Sequence, residues 1–293
     1  MRVTPDQPQA SLAGTPEEGR APIVRYERGV SMAAADDAIA VEEPLEIRLG
    51  QTENGRLQHR PVSITMRTPG DDFELAAGFL FTEGILQSRD QVREIHHCGK
   101  GKGATNTLRV DLAEGVAVDV KRLERNFYTT SSCGVCGKTS IEALATGART
   151  VSPPAGFAID SRLIDELPAR LQAQQHAFHA TGGLHAAALF SRTGELLGLR
   201  EDVGRHNALD KLVGSRFLAG ALPANDTILF LSGRASFELL QKAVMAGIPV
   251  VCAVGAPSTL AIAAAAEFGV TLLGFVRNQR FNVYTGQERL ASR

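Results

Sequence analysis

The chain has 293 residues, 31 of them Lys or Arg and 32 Asp or Glu, so its formal net charge is −1 with neutral histidines. That balance excludes a protein that grips nucleic acid or an anionic membrane through bulk charge. Hydrophobic residues at 44% and charged ones at 22% form a globular mix able to bury a core. The length suits two domains of about 150 residues each. Four cysteines are too few for a disulfide-stapled scaffold of this size, which points to a reducing, cytoplasmic setting.

Residues 1–22 hold Pro5, Pro8, Pro16 and Pro22 among Gly, Gln, Glu and Ser, the composition of a disordered tail, and lack the apolar stretch of a secretory signal. A first, α+β domain is expected over residues 23–126. In it, Leu45–Leu49, Val62–Met66, Leu108–Leu112 and Val116–Val120 alternate apolar and polar residues as half-buried strands do. Asp71 and Asp72 offer an N-cap to a helix whose apolar face is Phe73, Leu75, Ala76, Phe79 and Leu80 and which stops near Gly84.

The second domain is expected over residues 127–293. The pattern there predicts a helix over 161–175, strands at 185–190 and 196–199 about a turn at 192–194, and a strand at 227–231. A helix over 237–246, a strand at 250–254, a helix over 257–268 and a strand at 270–276 follow. Helices alternating with strands predict right-handed crossovers and a parallel sheet with helices on its faces. The 24 uncharged residues from 243 to 266 are long enough to span a bilayer, but Gly247, Pro249, Gly255 and Pro257 break them into strand, turn and helix.

Ligands of open parallel sheets sit beyond the carboxyl ends of the strands. The residues expected there are Ser232, Gly233 and Arg234, then Gly255 to Thr259, then Arg277, Asn278, Gln279 and Arg280. Small residues, helix starts and guanidinium groups suit an anionic, phosphorylated ligand, although Arg277 and Arg280 could equally be solvated surface charges. A Walker loop is absent and no complete GxGxxG follows a strand, which speaks against ordinary NTPase and dinucleotide chemistry.

The most specific motif is Cys133-Gly134-Val135-Cys136, flanked by Thr129 to Ser132 and by Gly137-Lys138. The flanks predict an exposed loop, and Lys138 with a helix start near Ser140 would lower a thiol pKa there. A structural zinc site would need two more ligands, which His96, His97 and Cys98 could supply only by folding back. A nucleobase deaminase would need H-x-E with P-C-x-x-C, neither of which is present. Thioredoxin-like exchange has weak support, so sulfur carriage is favoured over buried inert thiols and no metal is expected. Cys252 lies in an apolar strand and reads as core. Glu201, Asp202 and His206 fall at a strand-to-helix corner as either a polar site or a helix-capping cluster, and His179 and His185 flank the preceding glycines.

Five segments in order, SSCGVCGK, FHATGGLHAAALF, REDVGRHNALDKLVG, LSGRASFELLQKAVMAGIPVV and GFVRNQRFNVYTG, resemble the formate dehydrogenase accessory sulfurtransferase family, FdhD. EEPLEIRLG and TPGDDFELAAGFLFTEGI near the N-terminus match as well, so the resemblance covers nearly everything after residue 22. It implies a cytidine-deaminase-like three-layer α/β fold for the second domain. It also implies transfer of persulfide sulfur from a cysteine desulfurase to the bis-molybdopterin guanine dinucleotide form of the molybdenum cofactor, destined for the formate dehydrogenase catalytic subunit. By the same resemblance Cys133 carries the persulfide with Cys136 as helper. Phe275, Val276, Arg277, Asn278, Gln279 and Arg280 then correspond to the cofactor-binding stretch, GDP is an analogue of the cofactor, and the protein is a homodimer. A non-catalytic chaperone that binds and delivers the cofactor is the alternative, separable by whether a persulfide adduct forms.

Overall fold

The computed structural model describes residues 18–53, 56–116, 118 and 150–291. Strands β1 (Glu18–Glu27) and β2 (Val30–Ala40) form an antiparallel hairpin. The strand starts at Glu18, inside the segment expected to be a tail: Ile23, Val24 and Tyr26 favour extended backbone, and pairing with β2 carries Pro22 and its neighbours along. A four-stranded sheet follows in the order β4-β3-β6-β5, from β3 (Glu43–Glu53), β4 (Arg56–Arg67), β5 (Val92–His97) and β6 (Thr107–Leu112). Alternation puts Leu45, Ile47, Leu49, Leu108 and Val110 on one face, all buried under helix α1 (Asp72–Thr82).

The expected N-cap works differently from the sequence pattern. Asp71 takes a left-handed backbone (φ 54°) and makes no side-chain cap bond, while Asp72 turns back to a buried guanidinium. Arg67 donates from Nε and Nη2 to the two Asp72 carboxylate oxygens, each at 2.9 Å.

The second sheet has six strands in the order β13-β12-β11-β10-β8-β9. These are β8 (His185–Ser191), β9 (Leu196–Asp202), β10 (Thr227–Leu231), β11 (Val250–Ala253), β12 (Thr271–Arg277) and β13 (Arg280–Thr285). Only β10, β11 and β12 run parallel; β8, β9 and β13 pair antiparallel to their neighbours, so the sheet is mixed rather than parallel. The reason is turn length. The three residues from 192 to 194 can only make a hairpin, and Asn278 and Gln279 both take positive φ (54° and 55°), the backbone of a two-residue hairpin turn. A short parallel pair joins β7 (Ile159–Asp160) to β14 (Leu290–Ala291).

Helices cover both faces of this sheet. Helix α2 (Ser161–Gln172) presents Ile164, Leu167 and Leu171 to Ala188, Phe190, Phe230, Cys252 and Leu273. Short helix α3 (His176–Thr181) leads into β8. On the other face lie α4 (Arg205–Leu218), α5 (Phe237–Met245) and α6 (Thr259–Phe268), against Ala187, Leu189, Leu229, Leu231, Val251 and Ala253. Cys252 therefore points to the α2 face, fully buried as expected of a core residue, and burial pushes its thiol well above the ordinary range.

The two sheets share one apolar cluster because α1 packs directly on α4. At the crossing, Gly78 faces the Asp210 carbonyl and Gly214 faces the Glu74 carbonyl at distances that leave no room for a Cβ on either glycine. The uncharged run from 243 to 266 resolves into the end of α5, all of β11 and most of α6. Among the described residues, no helix is long and apolar enough to cross a membrane.

Candidate functional site at the strand ends

The carboxyl edge of the parallel strands is drawn together by glycines. Gly255 N–H donates to the Gly233 carbonyl at 2.9 Å, and Phe275 N–H donates to the Gly255 carbonyl at 3.1 Å. A Cβ on Gly255 would meet the Gly233 carbonyl oxygen at 3.1 Å, and one on Gly274 would meet Pro257 at 2.8 Å. His185, the first residue of β8, closes the row, its ring 3.5 Å from where a Gly233 Cβ would lie. The three strand ends expected to lie near one another thus meet along one edge, with the start of β8 beside them.

The starts of α4 and α5 meet at the same edge through His206. Its Nε2 lies 3.4 Å from Ser236 Oγ, at the N-cap of α5, and 3.4 Å from Glu238 Oε2 in the first turn. Burial, reinforced by Lys242, Arg205 and His185, pushes the His206 pKa down to about 3. Burial also raises the Glu238 carboxyl, against the pull of Lys242. At neutral pH the imidazole is thus uncharged and the contact is not an ion pair. His185 is likewise held below the ordinary range by burial and by Arg205. Neither α4, capped by Gly204, nor α5 has a side-chain cap bond, so their first-turn N–H groups remain available to a ligand.

Behind Glu238 lies a charge network built on the buried Lys242–Asp210 pair. Lys242 Nζ is 2.9 Å from Asp210 Oδ2, 3.1 Å from Thr82 Oγ1 and 3.8 Å from Glu83 Oε1. Burial works against the charge on Lys242, but Asp210, Glu83 and Glu238 outweigh it and hold the ammonium above the ordinary range. Sequence reading did not single out Lys242 or Asp210. Both sit in helical segments where a lysine or aspartate ordinarily faces water, and both have a polar neighbour in sequence, Gln241 and Lys211, so no local signal set them apart.

The remaining expected residues divide. Asp202 does not face the strand-end row; it is fully buried, accepting from Gly204 N–H at 2.8 Å and Asn207 Nδ2 at 3.1 Å and pairing with Lys211 Nζ at 2.9 Å. Glu201 turns to α3, where it accepts from the N–H groups of Ala177 and Phe178 at 3.2 and 3.0 Å. Glu201 follows the helix-capping alternative at α3 and Asp202 is held in a buried ion pair, whereas His206 and His185 face the edge. His179 lies apart, its Nε2 2.6 Å from the Gln172 carbonyl oxygen. Phe275 is anchored at the row through its N–H and Val276 is fully buried. Arg277, Asn278, Gln279 and Arg280 make up the exposed β12–β13 turn, with the Arg277 guanidinium 5.7 Å from the Phe275 ring centre. Cys133 and Cys136 lie outside the described residues.

Among the described residues one trio, Glu94, His96 and Asp111, brings metal-ligand atoms within 4.8 Å of one another. Asp111 is already engaged there by Arg109, whose Nε lies 2.8 Å from Oδ1 and whose Nη2 donates to Oδ2 at 2.9 Å. A cation would have to displace that guanidinium, so the trio is better satisfied as an ion pair on the outer sheet face.

The sequence model of the FdhD/NarQ family matches residues 40–291. The chain belongs to the FdhD/NarQ family. Its relatives include proteins named sulfur carrier protein FdhD from Streptomyces avermitilis, 52% identical over 279 residues and covering 94% of this chain and 96% of the relative. Another, from Mycobacterium tuberculosis, is 46% identical over 276 residues, with 91% and 96% covered. A crystal structure described as a candidate formate dehydrogenase accessory protein from Desulfotalea psychrophila superposes with a TM-score of 0.70 at 26% identity, covering 94% of this chain and all of that one. In this FdhD/NarQ family member the mixed α/β architecture is therefore shared with a solved relative, and the strand-end row falls within the matched residues.

Proposed function

We propose that this FdhD/NarQ family member is a sulfur carrier, with Cys133 as the carrying thiol and Cys136 as its helper. The observation that carries this reading is the presence of Cys133-Gly134-Val135-Cys136 in a chain 46–52% identical to proteins named as sulfur carriers. The step is a thiol–persulfide exchange. The Cys133 thiolate attacks the outer sulfur of a persulfide on a cysteine desulfurase, the sulfur–sulfur bond of the donor breaks, and the donor cysteine leaves as a thiolate. No net oxidation occurs, because the sulfane sulfur keeps its oxidation state.

The acceptor in this reading is the bis-molybdopterin guanine dinucleotide cofactor, written here as substrate, on its way to formate dehydrogenase. A diphosphate needs localised positive charge, and the strand-end row fits it. The first-turn N–H groups of α4 and α5 are uncapped by side chains, and Arg205 Nε is buried without a hydrogen-bond partner among the described residues. Gly255 lets the strand ends draw close together, Gly233 carbonyl against Gly255 N–H, at the edge where the ligand would lie. Complementation of a deletion strain tests the reading: Cys133→Ala should abolish formate dehydrogenase maturation, Cys136→Ala should weaken it, and full activity with Cys133→Ala would remove the carrier assignment.

A further inference from the structure

Helices α4 and α5 start side by side at the strand-end row, and the second residue of each reaches the other. His206 of α4 and Glu238 of α5 meet there with Nε2 3.4 Å from Oε2. One turn further in, the same two helices are joined by Asp210 and Lys242, at 2.9 Å. The inner contact is a buried pair of opposite charges, whereas the outer one opens to the edge, with 23% of the His206 side chain and 25% of the Glu238 side chain exposed.

Glu238 is an unexpected group at an edge suited to an anion. Among the described residues its one polar side-chain contact is His206, because Lys242 turns to Asp210, Thr82 and Glu83 instead. The other charged or titratable groups that face the pair are Arg205 and Asp210 on α4, Lys242 on α5, Glu83 after α1 and His185 at the start of β8. With no cation in contact, an ionised Glu238 leans on the positive end of α5, in whose first turn it sits. A ligand anion on the uncapped N–H groups of α4 and α5 would occupy that positive end and set a like charge beside the carboxylate. Both changes favour the protonated form. His206 Nε2 lies where it can share the proton, and long contacts of this kind in an empty site often shorten when the ligand arrives.

We propose that this edge takes up a proton together with its anionic ligand: the Glu238–His206 pair, at −1 once its carboxyl has ionised, becomes neutral when a diphosphate seats between the starts of α4 and α5. The two groups titrate as a unit, so the proton belongs to the pair. The inference rests on the reading of this edge as the diphosphate site and adds to it control of binding by pH. A proton bound with the ligand makes affinity fall as pH rises, by up to about tenfold per pH unit, wherever the empty protein has lost the proton and the complex keeps it. Burial raises the Glu238 carboxyl above the ordinary value of 4.5, so that range begins above it.

Calorimetric titration of the full chain with GDP, between about pH 5.5 and pH 8.5, tests the coupling. Glu238→Gln and Glu238→Met both remove the charge, the first keeping a hydrogen-bonding group beside His206 and the second not; circular dichroism and thermal melts confirm that each folds. The ionisation of GDP itself is common to all three proteins and cancels in the ratio of affinities. Relative to either variant, the wild type should lose affinity about tenfold or more across the range. In buffers of different ionisation enthalpy it should also take up more protons per GDP than the variants do. A ratio that stays constant with pH, or equal proton counts, would overturn the inference and leave the diphosphate site standing. A wild type that binds no GDP at any pH in the range would overturn the diphosphate reading, and the inference with it.

Discussion

Lys242→Met removes a charge from the buried network behind the strand-end row while keeping most of the apolar stem. Asp210 would then be left with Thr82 Oγ1, at 2.8 Å, as its remaining side-chain partner. The carboxylate is only 2% exposed, so water cannot replace the lost ammonium. Breaking one side of a buried pair costs about 3–5 kcal/mol, enough to lower the melting temperature by of order 10 °C in a chain of this size. The double variant Asp210→Asn with Lys242→Met removes both charges of the pair and should recover most of the loss. The defect also has a pH signature. An unpaired buried Asp210 has its folded pKa raised above the unfolded value of about 3.9, so the native state holds the proton more tightly and the penalty fades as pH falls toward that value. Denaturant unfolding at pH 4 and pH 7 measures it. A loss below about 1 kcal/mol, an equal loss at both pH values, or a double variant no better than the single one would refute this account of the network.

Gly214→Ala should destabilise by about 1–3 kcal/mol or more, because its Cβ would run into the Glu74 carbonyl across the α1–α4 crossing; thermal melts measure it. His206 is held near 3, below its ordinary value, so the native state stays neutral while the unfolded chain protonates. Stability should be complete above pH 6.5 and fall by up to about 1.4 kcal/mol per unit as pH drops from 6.5 toward 3. His206→Gln should flatten unfolding free energy against pH in that window, and NMR should show no titration of the wild-type ring above pH 5. Arg277→Ala with Arg280→Ala should weaken GDP binding in calorimetric titration by roughly one to two decades, the cost of about 1.5–3 kcal/mol for a charge-assisted contact. Persulfide loading on Cys133 should be unaffected in that variant.

What could be read in the sequence was what repeats along it. Alternation of period two located β3, β4 and β6, and the apolar run of β10 fell between Thr227 and Leu231 as expected. Glycines placed the ends of helices, with Gly269 left-handed after α6. Strand direction was harder, because periodicity says nothing about it: the β12–β13 hairpin is fixed by positive φ at Asn278 and Gln279, residues that more often stand for an open loop. The strand-end row was legible because sheet topology dictates where ligands bind, and the small residues Gly233 and Gly255 stood at the right places. The roles within it were less so. Asp202 and His206 sit four residues apart in one polar cluster, yet one is buried against Lys211 and the Gly204 N–H and the other faces the edge, a difference set by which way each side chain leaves the corner. The Lys242–Asp210 pair joins residues 32 apart, and local sequence carries no record of that meeting.

The central claim is that Cys133 carries sulfur, and intact mass spectrometry of the full chain addresses it most directly. After incubation with a cysteine desulfurase and cysteine, the wild type should gain the mass of one sulfur, removable by a thiol reductant and mapped by digestion to Cys133. Cys133→Ala should gain none, and Cys252→Ala should load like the wild type because its thiol is buried in β11. An unmodified wild type under conditions where the desulfurase loads another acceptor, or an adduct that persists in Cys133→Ala, would contradict the account.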